Sequence, residues 1–196
     1  MVTPFNNLDS MEWTIGISAI IIAILLIKMK YDSTTDTFED NGIKDRIGYV
    51  LTLGGGGLYL LISGLYISFA WPYTTGLNNV LFGGIATLGG LLLTIAALAL
   101  YFNGGFRIVS YFGAGVAAYA LTGAYAILVQ EYTKTPLVSA LGYIGMAAAA
   151  IFIIPVTHSN NKILRYIAAI FAILFAAVWL FMAVTTTSSH LGNALF

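Results

Sequence analysis

The side chains that most often carry chemistry are sparse here. His158 and His190 are the only imidazoles, and there is no cysteine. Disulfides, thiolate metal sites and a cysteine nucleophile are therefore excluded. Asp9, Glu12, Glu131 and His190 could together hold a metal or a proton, but nothing in their spacing demands it. An enzyme working through Glu131 and His190 would need the two within about 3 Å, directly or through one water. The chain contains no HExxH, no GxSxG and no phosphate-binding P-loop. The glycine run Gly54–Gly57 lies inside an apolar stretch, where close packing is its natural use.

Hydroxyls are better placed. Tyr49, Thr52, Gly56, Tyr59, Ser63 and Tyr66 recur at steps of three and four, the spacing of one helix face. Tyr111, Gly115, Ala118, Thr122 and Tyr125 repeat the pattern. Two readings follow. Small residues and hydroxyls can join helices in lipid, at roughly 1 kcal/mol for each hydrogen bond. Alternatively, Tyr59, Ser63, Tyr66, Tyr111, Thr122 and Tyr125 could line a cavity for a quinone, a lipid tail or a small neutral solute.

The elements that carry these stripes belong in a membrane. Of the 196 residues 59% are hydrophobic and only 8% charged, against about a quarter charged in soluble domains. Zero net charge gives no handle for nucleic acid. Uncharged runs long enough to cross a bilayer lie near 13–29, 48–71, 79–102, 106–129, 136–157 and 163–186. The fold expected is all-α and integral to the membrane, with six transmembrane helices. Charged residues fall in loops or within a turn of one, and none is expected inside the membrane.

Basic residues give a direction. Lys28, Lys30, Lys44, Arg46, Arg107, Lys162 and Arg165 fall in or beside the odd-numbered loops, and only Lys134 lies on the other side. This places the odd loops in the cytoplasm and both termini outside the cell membrane. Trp13, Trp71 and Trp179 then fall toward the outer leaflet as interface anchors. His158 and His190 are expected to lie a membrane thickness apart, which argues against one haem held between them. The cytoplasmic stretch 31–46, YDSTTDTFEDNGIKDR, reads as a solvated linker. Lys162 and Arg165 read as reaching to anionic headgroups.

Displacing the chain by 59 residues aligns Gly54, Gly56, Ser63, Gly64 and Tyr66 with Gly113, Gly115, Thr122, Gly123 and Tyr125. Over residues 54–85 there are eight identities in 32 positions, where about three would arise by chance. This reads as a tandem duplicated hairpin: spans two and three, then spans four and five.

The segments SGLYISFAWP, NNVLFGG, TGAY and TKTPLVSALGYIGMAAA resemble a family of multi-pass archaeal membrane proteins known as domain of unknown function 981. The marks are Trp71-Pro72, Asn79 to Gly83 and Lys134-Thr135-Pro136. The resemblance covers spans two to six. It implies an archaeal plasma membrane and no established activity, so it supplies no functional residues.

Short loops, charge-free spans and missing cofactor ligands lead to one functional expectation: a non-catalytic accessory subunit of a larger membrane complex, partnered by other integral membrane subunits. A channel or facilitator for a small neutral solute is the first alternative, and a quinone- or lipid-binding protein the second. No cofactor is expected beyond a bound lipid or quinone.

Overall fold

The computed structural model describes residues 7–39, 43–72, 76–133 and 135–194. Tyr73 and Lys134 lie outside the described residues, as do the side chains of Lys44 and His190. Helices dominate because a bilayer leaves the peptide groups no water to bond, so each apolar run satisfies its own backbone. They are α1 (Asn7–Lys28), α2 (Ile43–Ala70), a single turn α3 (Gly76–Asn78), α4 (Gly84–Phe102), α5 (Phe106–Gln130), α6 (Pro136–Thr157) and α7 (Lys162–Ala194). A π-helical segment, Asn79–Gly83, leads into α4. Six of these helices are long and apolar enough to cross a membrane. α7 continues past residue 186, with the hydroxyls of Thr185, Thr186 and Ser189 returned to carbonyls of the preceding turn.

The spanning helices form a ring. Each packs on two others, in the order α1, α2, α4, α5, α6, α7 and back to α1. The closest pairings are α2 with α4, α5 with α6 and α1 with α7, whereas α1/α2 and α4/α5 are thin seams. One end of the ring carries both chain termini. The other, here called the hairpin end, carries the α4–α5 and α6–α7 turns and a β-hairpin of β1 (Tyr31–Asp32) and β2 (Thr37–Phe38), with Tyr31 opposite Phe38.

Glycine sets the tightest contact. Gly57 and Gly64 on α2 meet Gly90 and Gly83 in antiparallel order. A Cβ on Gly90 would lie 2.7 Å from the Gly57 carbonyl, and one on Gly64 2.8 Å from the Gly83 carbonyl. Thr87 and Thr94 complete this seam, turning their hydroxyls back to Gly83 O (2.7 Å) and Gly90 O (2.8 Å). Within the displaced pairs, Gly64 and Gly123 each abut the second helix of their own hairpin. Gly83 and Gly142 differ: Gly83 meets α2, and Gly142 meets Trp179 of α7.

Three expectations are corrected by burial. Trp179 is only 1% exposed and is no interface anchor. It fills the space above Gly142, donates Nε1–H to the Gly142 carbonyl (3.3 Å) and packs on Tyr143 and Phe175. Trp13 and Trp71 do face outward, Trp13 donating to Thr187 Oγ1 at 3.2 Å. Arg165 is 7% exposed and does not reach for headgroups; its Nη1 donates to the Met29 carbonyl at the end of α1. Glu12 is also buried, in the second turn of α1, so the protein does enclose ionisable groups near its two ends.

The glycine seam sets opposite expectations for two substitutions on the same hairpin. Gly90→Ala drives a methyl into backbone and should destabilise by about 1–3 kcal/mol. Gly55→Ala, with nothing within 4 Å of the added Cβ, should be neutral or stabilising by up to ~1 kcal/mol. Unfolding of the two variants in mixed micelles checks the difference.

Candidate functional site

The ring surrounds a partly open cavity of about 170 Å³. Its wall draws on all six spanning helices, from Ile15, Ile85 and Phe175 on the termini side to Leu26, Leu100 and Phe106 on the hairpin side. From Ile15 to Leu26 on α1 is roughly 16 Å at 1.5 Å per residue, so the cavity is long and narrow. Alanine and glycine recur along it at Ala86, Gly89, Gly113, Ala150, Ala168 and Ala172. Ser18, Ser110 and Thr157 supply the only polar side chains of the lining.

An aromatic plug closes the hairpin end. Tyr31, Phe38 and Phe106 meet edge to face, with ring centroids 5.2 Å (Tyr31–Phe38), 4.9 Å (Phe38–Phe106) and 6.4 Å (Tyr31–Phe106) apart. Phe38 and Phe106 form part of the cavity wall. Residues 31–38 are therefore a folded lid rather than a solvated linker: Tyr31 and Phe38 are buried and turn the strands inward. An Asx turn starts the reversal, with Asp32 accepting from Thr34 N–H (2.9 Å) and Thr35 Oγ1 (3.0 Å). The Thr34 N–H holds the Asp32 carboxyl below its usual range.

Asp36 fastens the plug. It adopts a left-handed conformation (φ 56°), which a short carboxylate side chain tolerates. One oxygen accepts the Tyr31 hydroxyl, and both face the Arg107 backbone N–H, Oδ1 at 3.1 Å and Oδ2 at 3.4 Å. Arg107 is the second residue of α5, and the helix has no cap of its own because Gly105 precedes it. Asp36 thus caps α5 from another segment and places its charge at the positive end of the helix. The Arg107 side chain crosses to the Thr157 carbonyl (Nε, 3.1 Å) and the Ser33 carbonyl (Nη2), while Ser33 N–H donates to Asn160 (2.6 Å). One arginine and one aspartate therefore tie the hairpin to α5 and α6. Burial, and then the Asp36 carboxylate beside it, push the Tyr31 phenol well above its ordinary value.

The hydroxyl stripes lie elsewhere. Tyr59 bonds Ser10 of α1, and Ser63 is buried in α2. Tyr66, Tyr111 and Tyr125 point outward, as does Thr122, whose hydroxyl returns to the Ala118 carbonyl at 3.0 Å. Tyr111 bonds His158 Nε2 at 2.7 Å. The His158 Nδ1 faces the Ile154 carbonyl at 2.9 Å, so that nitrogen donates there. The two stripes do not face each other across a void. Because the His190 side chain is outside the described residues, the geometry of Glu131 with His190 is too. No group of three or more His, Asp or Glu side chains is placed to hold a metal among the described residues.

Two other tyrosines serve the π-helical segment. Tyr119 donates to Val80 O (2.9 Å) and Tyr143 to Leu81 O (3.2 Å), the two carbonyls that the Gly84 N–H also faces. These tyrosines, the plug and the Ser110–Thr157 pair did not stand out in the sequence. The seven-residue step from Tyr31 to Phe38, with turn-forming Asp, Ser and Thr between, was the one available signal.

The family model described as "Protein of unknown function (DUF981)" matches residues 1–193. The chain belongs to the DUF981 family. No curated protein and no solved structure matches it. In this DUF981 chain, then, the site rests on geometry alone: a long apolar chamber, with aromatics at one end held by Asp36 and Arg107.

Two expected outcomes test the fastening. Asp36→Ala should lower stability by about 1–3 kcal/mol, from the lost cap and the Arg107 backbone N–H left without its acceptor, read from unfolding in micelles. The raised Tyr31 value favours the neutral phenol in the folded state. That contribution is whole below the ordinary phenol value of about 10 and is lost as pH climbs toward the folded one. Melting temperature between about pH 9 and 11.5 should accordingly fall more steeply in the wild type than in Tyr31→Phe.

Proposed function

We propose that this protein is a non-catalytic membrane protein that holds a hydrocarbon chain, the tail of a lipid or of an isoprenoid quinone, inside its helix ring. The cavity carries this reading. A chamber of about 170 Å³ with three hydroxyls in its wall is of the apolar kind that stays dry and accepts benzene-sized ligands. Water would gain too few partners there, and a charged solute would gain none. A hydrocarbon loses nothing on entering. The excess of basic residues in the odd loops supports placing the hairpin end in the cytoplasm and both termini outside a cell membrane, archaeal by the resemblance noted above. The eight identities at a 59-residue offset support a duplicated hairpin, α2–α4 and α5–α6, with both copies running in the same direction.

The outward face of α5 supports a second reading, that of an accessory subunit. Tyr111, Gly115, Ala118, Thr122 and Tyr125 are exposed at alternating steps of four and three, a spacing at which another membrane helix packs. Gentle extraction that yields a lone monomer, with no stoichiometric membrane partner, would count against it.

Extraction also tests the primary reading. Mass spectrometry of the protein taken from native membranes should find a bound lipid or quinone, about one per chain. Gly113→Leu should remove it without lowering stability, since a Cβ there has 3.7 Å to its nearest neighbour and the added carbons occupy the void. Equal recovery from both proteins would contradict the assignment.

A further inference from the structure

A hydrocarbon chain can reach the chamber only where the packing gives way. Both ends of the axis are filled. The plug of Tyr31, Phe38 and Phe106 occupies the hairpin end. Toward the termini, buried Met11, Tyr143 and Trp179 each lie about one turn beyond a lining residue, Ile15, Met146 and Phe175. The sides of the ring remain, and five of its six seams are held by close contacts. Glycine holds α2 to α4. A Cβ on Gly123 would lie 2.9 Å from the Tyr143 ring of α6, and one on Gly16 2.6 Å from the Leu180 side chain of α7. Phe152 of α6 stacks on Phe171 of α7, centroids 4.2 Å apart. Between α1 and α2, Ser10 bonds Tyr59, and a Cβ on Gly56 would lie 2.9 Å from Ser18 Oγ.

The sixth seam, α4 with α5, is fastened at its ends alone. The turn at Asn103 to Gly105 joins the helices on one side, and Tyr119 bonds Val80 O on the other. Between these points α4 offers α5 nothing polar. From Gly84 to Leu100 its only polar side chains are Thr87 and Thr94, and both lie in the α2 seam. Leu92 and Ala96 of α4 line the chamber, as do Val109, Gly113 and Val116 of α5. Leu92 is half-buried, and its Cδ2 is the nearest neighbour of a Cβ on Gly113, at 3.7 Å. Opposite Leu92, then, α5 presents a residue with no side chain. Gly113 lies roughly 11 Å along α5 from the turn, at the depth of lipid hydrocarbon.

We infer that the hydrocarbon chain enters sideways from the bilayer, between α4 and α5 over Gly113, with the Leu92 side chain as the door. Opening asks for a rotamer change of one leucine and a small parting of two helices joined only at their ends. No hydrogen bond breaks, and the chain passes from lipid to chamber without meeting water. The lid at residues 31–38 stays shut throughout. The inference rests on the hydrocarbon-binding reading and adds the route.

The chain has no cysteine, so an introduced pair forms a unique bridge. Leu92→Cys with Gly113→Cys closes the α4/α5 seam, and Ser18→Cys with Gly56→Cys closes α1/α2 as the control. Each full-length protein, in detergent micelles, is given decane bearing a diazirine, irradiated after increasing times, and its labels are located by mass spectrometry. With the thiols reduced, labels should accumulate in the chamber around Ile85 and Phe175. Oxidising the α4/α5 pair should abolish those labels and spare the ones on outer helix faces, whereas oxidising the control pair should change nothing. Reduced and oxidised forms carry the same side chains, so the loss reports the bridge and not a filled void. Leu92→Ala, which needs no bridge, should reach the wild-type level of chamber label sooner. Chamber labelling that survives the α4/α5 bridge, or is lost with the α1/α2 bridge, overturns the route and leaves the hydrocarbon reading standing. So does a Leu92→Ala rate equal to that of the wild type. A wild-type protein labelled on its outer faces alone overturns both.

Discussion

Helices in a bilayer are not pressed together by water, since lipid tails are as apolar as leucine. Contact must come from close approach, and here glycine provides it. Gly57 and Gly64 against Gly90 and Gly83 bring the α2 and α4 backbones together along the circumference of the ring. The remaining close pairs, α5 with α6 and α1 with α7, place small residues such as Gly123 and Gly16 at their contacts. Contact spent around the ring is not available at its centre. The inward positions Ala86, Gly89, Gly113, Ala150, Ala168 and Ala172 are too short to meet on the axis, and the chamber is what they leave.

A hydrocarbon-lined void near an aqueous surface needs a seal, and the longest polar loop supplies it. Tyr31 and Phe38 turn inward while Asp32 and Asp36 organise the turn between them. Asp36 then caps α5, so the loop and the helix stabilise each other. Arg107, beside the glycine turn between α4 and α5, draws the carbonyls of Ser33 and Thr157 to the same point. The charges here act as a fastener at the rim, and the hydroxyls beneath them face the chamber. The same few residues thus link the fold of the loop to the polarity of the cavity.

The six helices were legible because uncharged runs of membrane length admit few other structures. Which face of each helix turns inward was not. In water the polar face of a helix marks its outside, but in a bilayer both faces are apolar. The stripe Tyr111 to Tyr125 therefore resembled a lining and proved to be an outer face. Trp179 resembled an anchor for the same reason: its distance from the membrane surface could be counted along the chain, but its direction could not. The neighbours of α1 and α7 were equally hidden, because no short turn joins them. Ser110 and Thr157 gave no signal, since their meaning depends on a contact between residues 47 apart.

The central claim is that the six helices surround a dry apolar chamber, and xenon tests it most directly. Xenon enters apolar cavities and is readily located in a diffraction map. In crystals of this protein pressurised with the gas, the account predicts xenon among Ile85, Val116 and Phe175, on the axis of the ring. Ordered water in that space, or xenon confined to the outer faces of the helices, would contradict it.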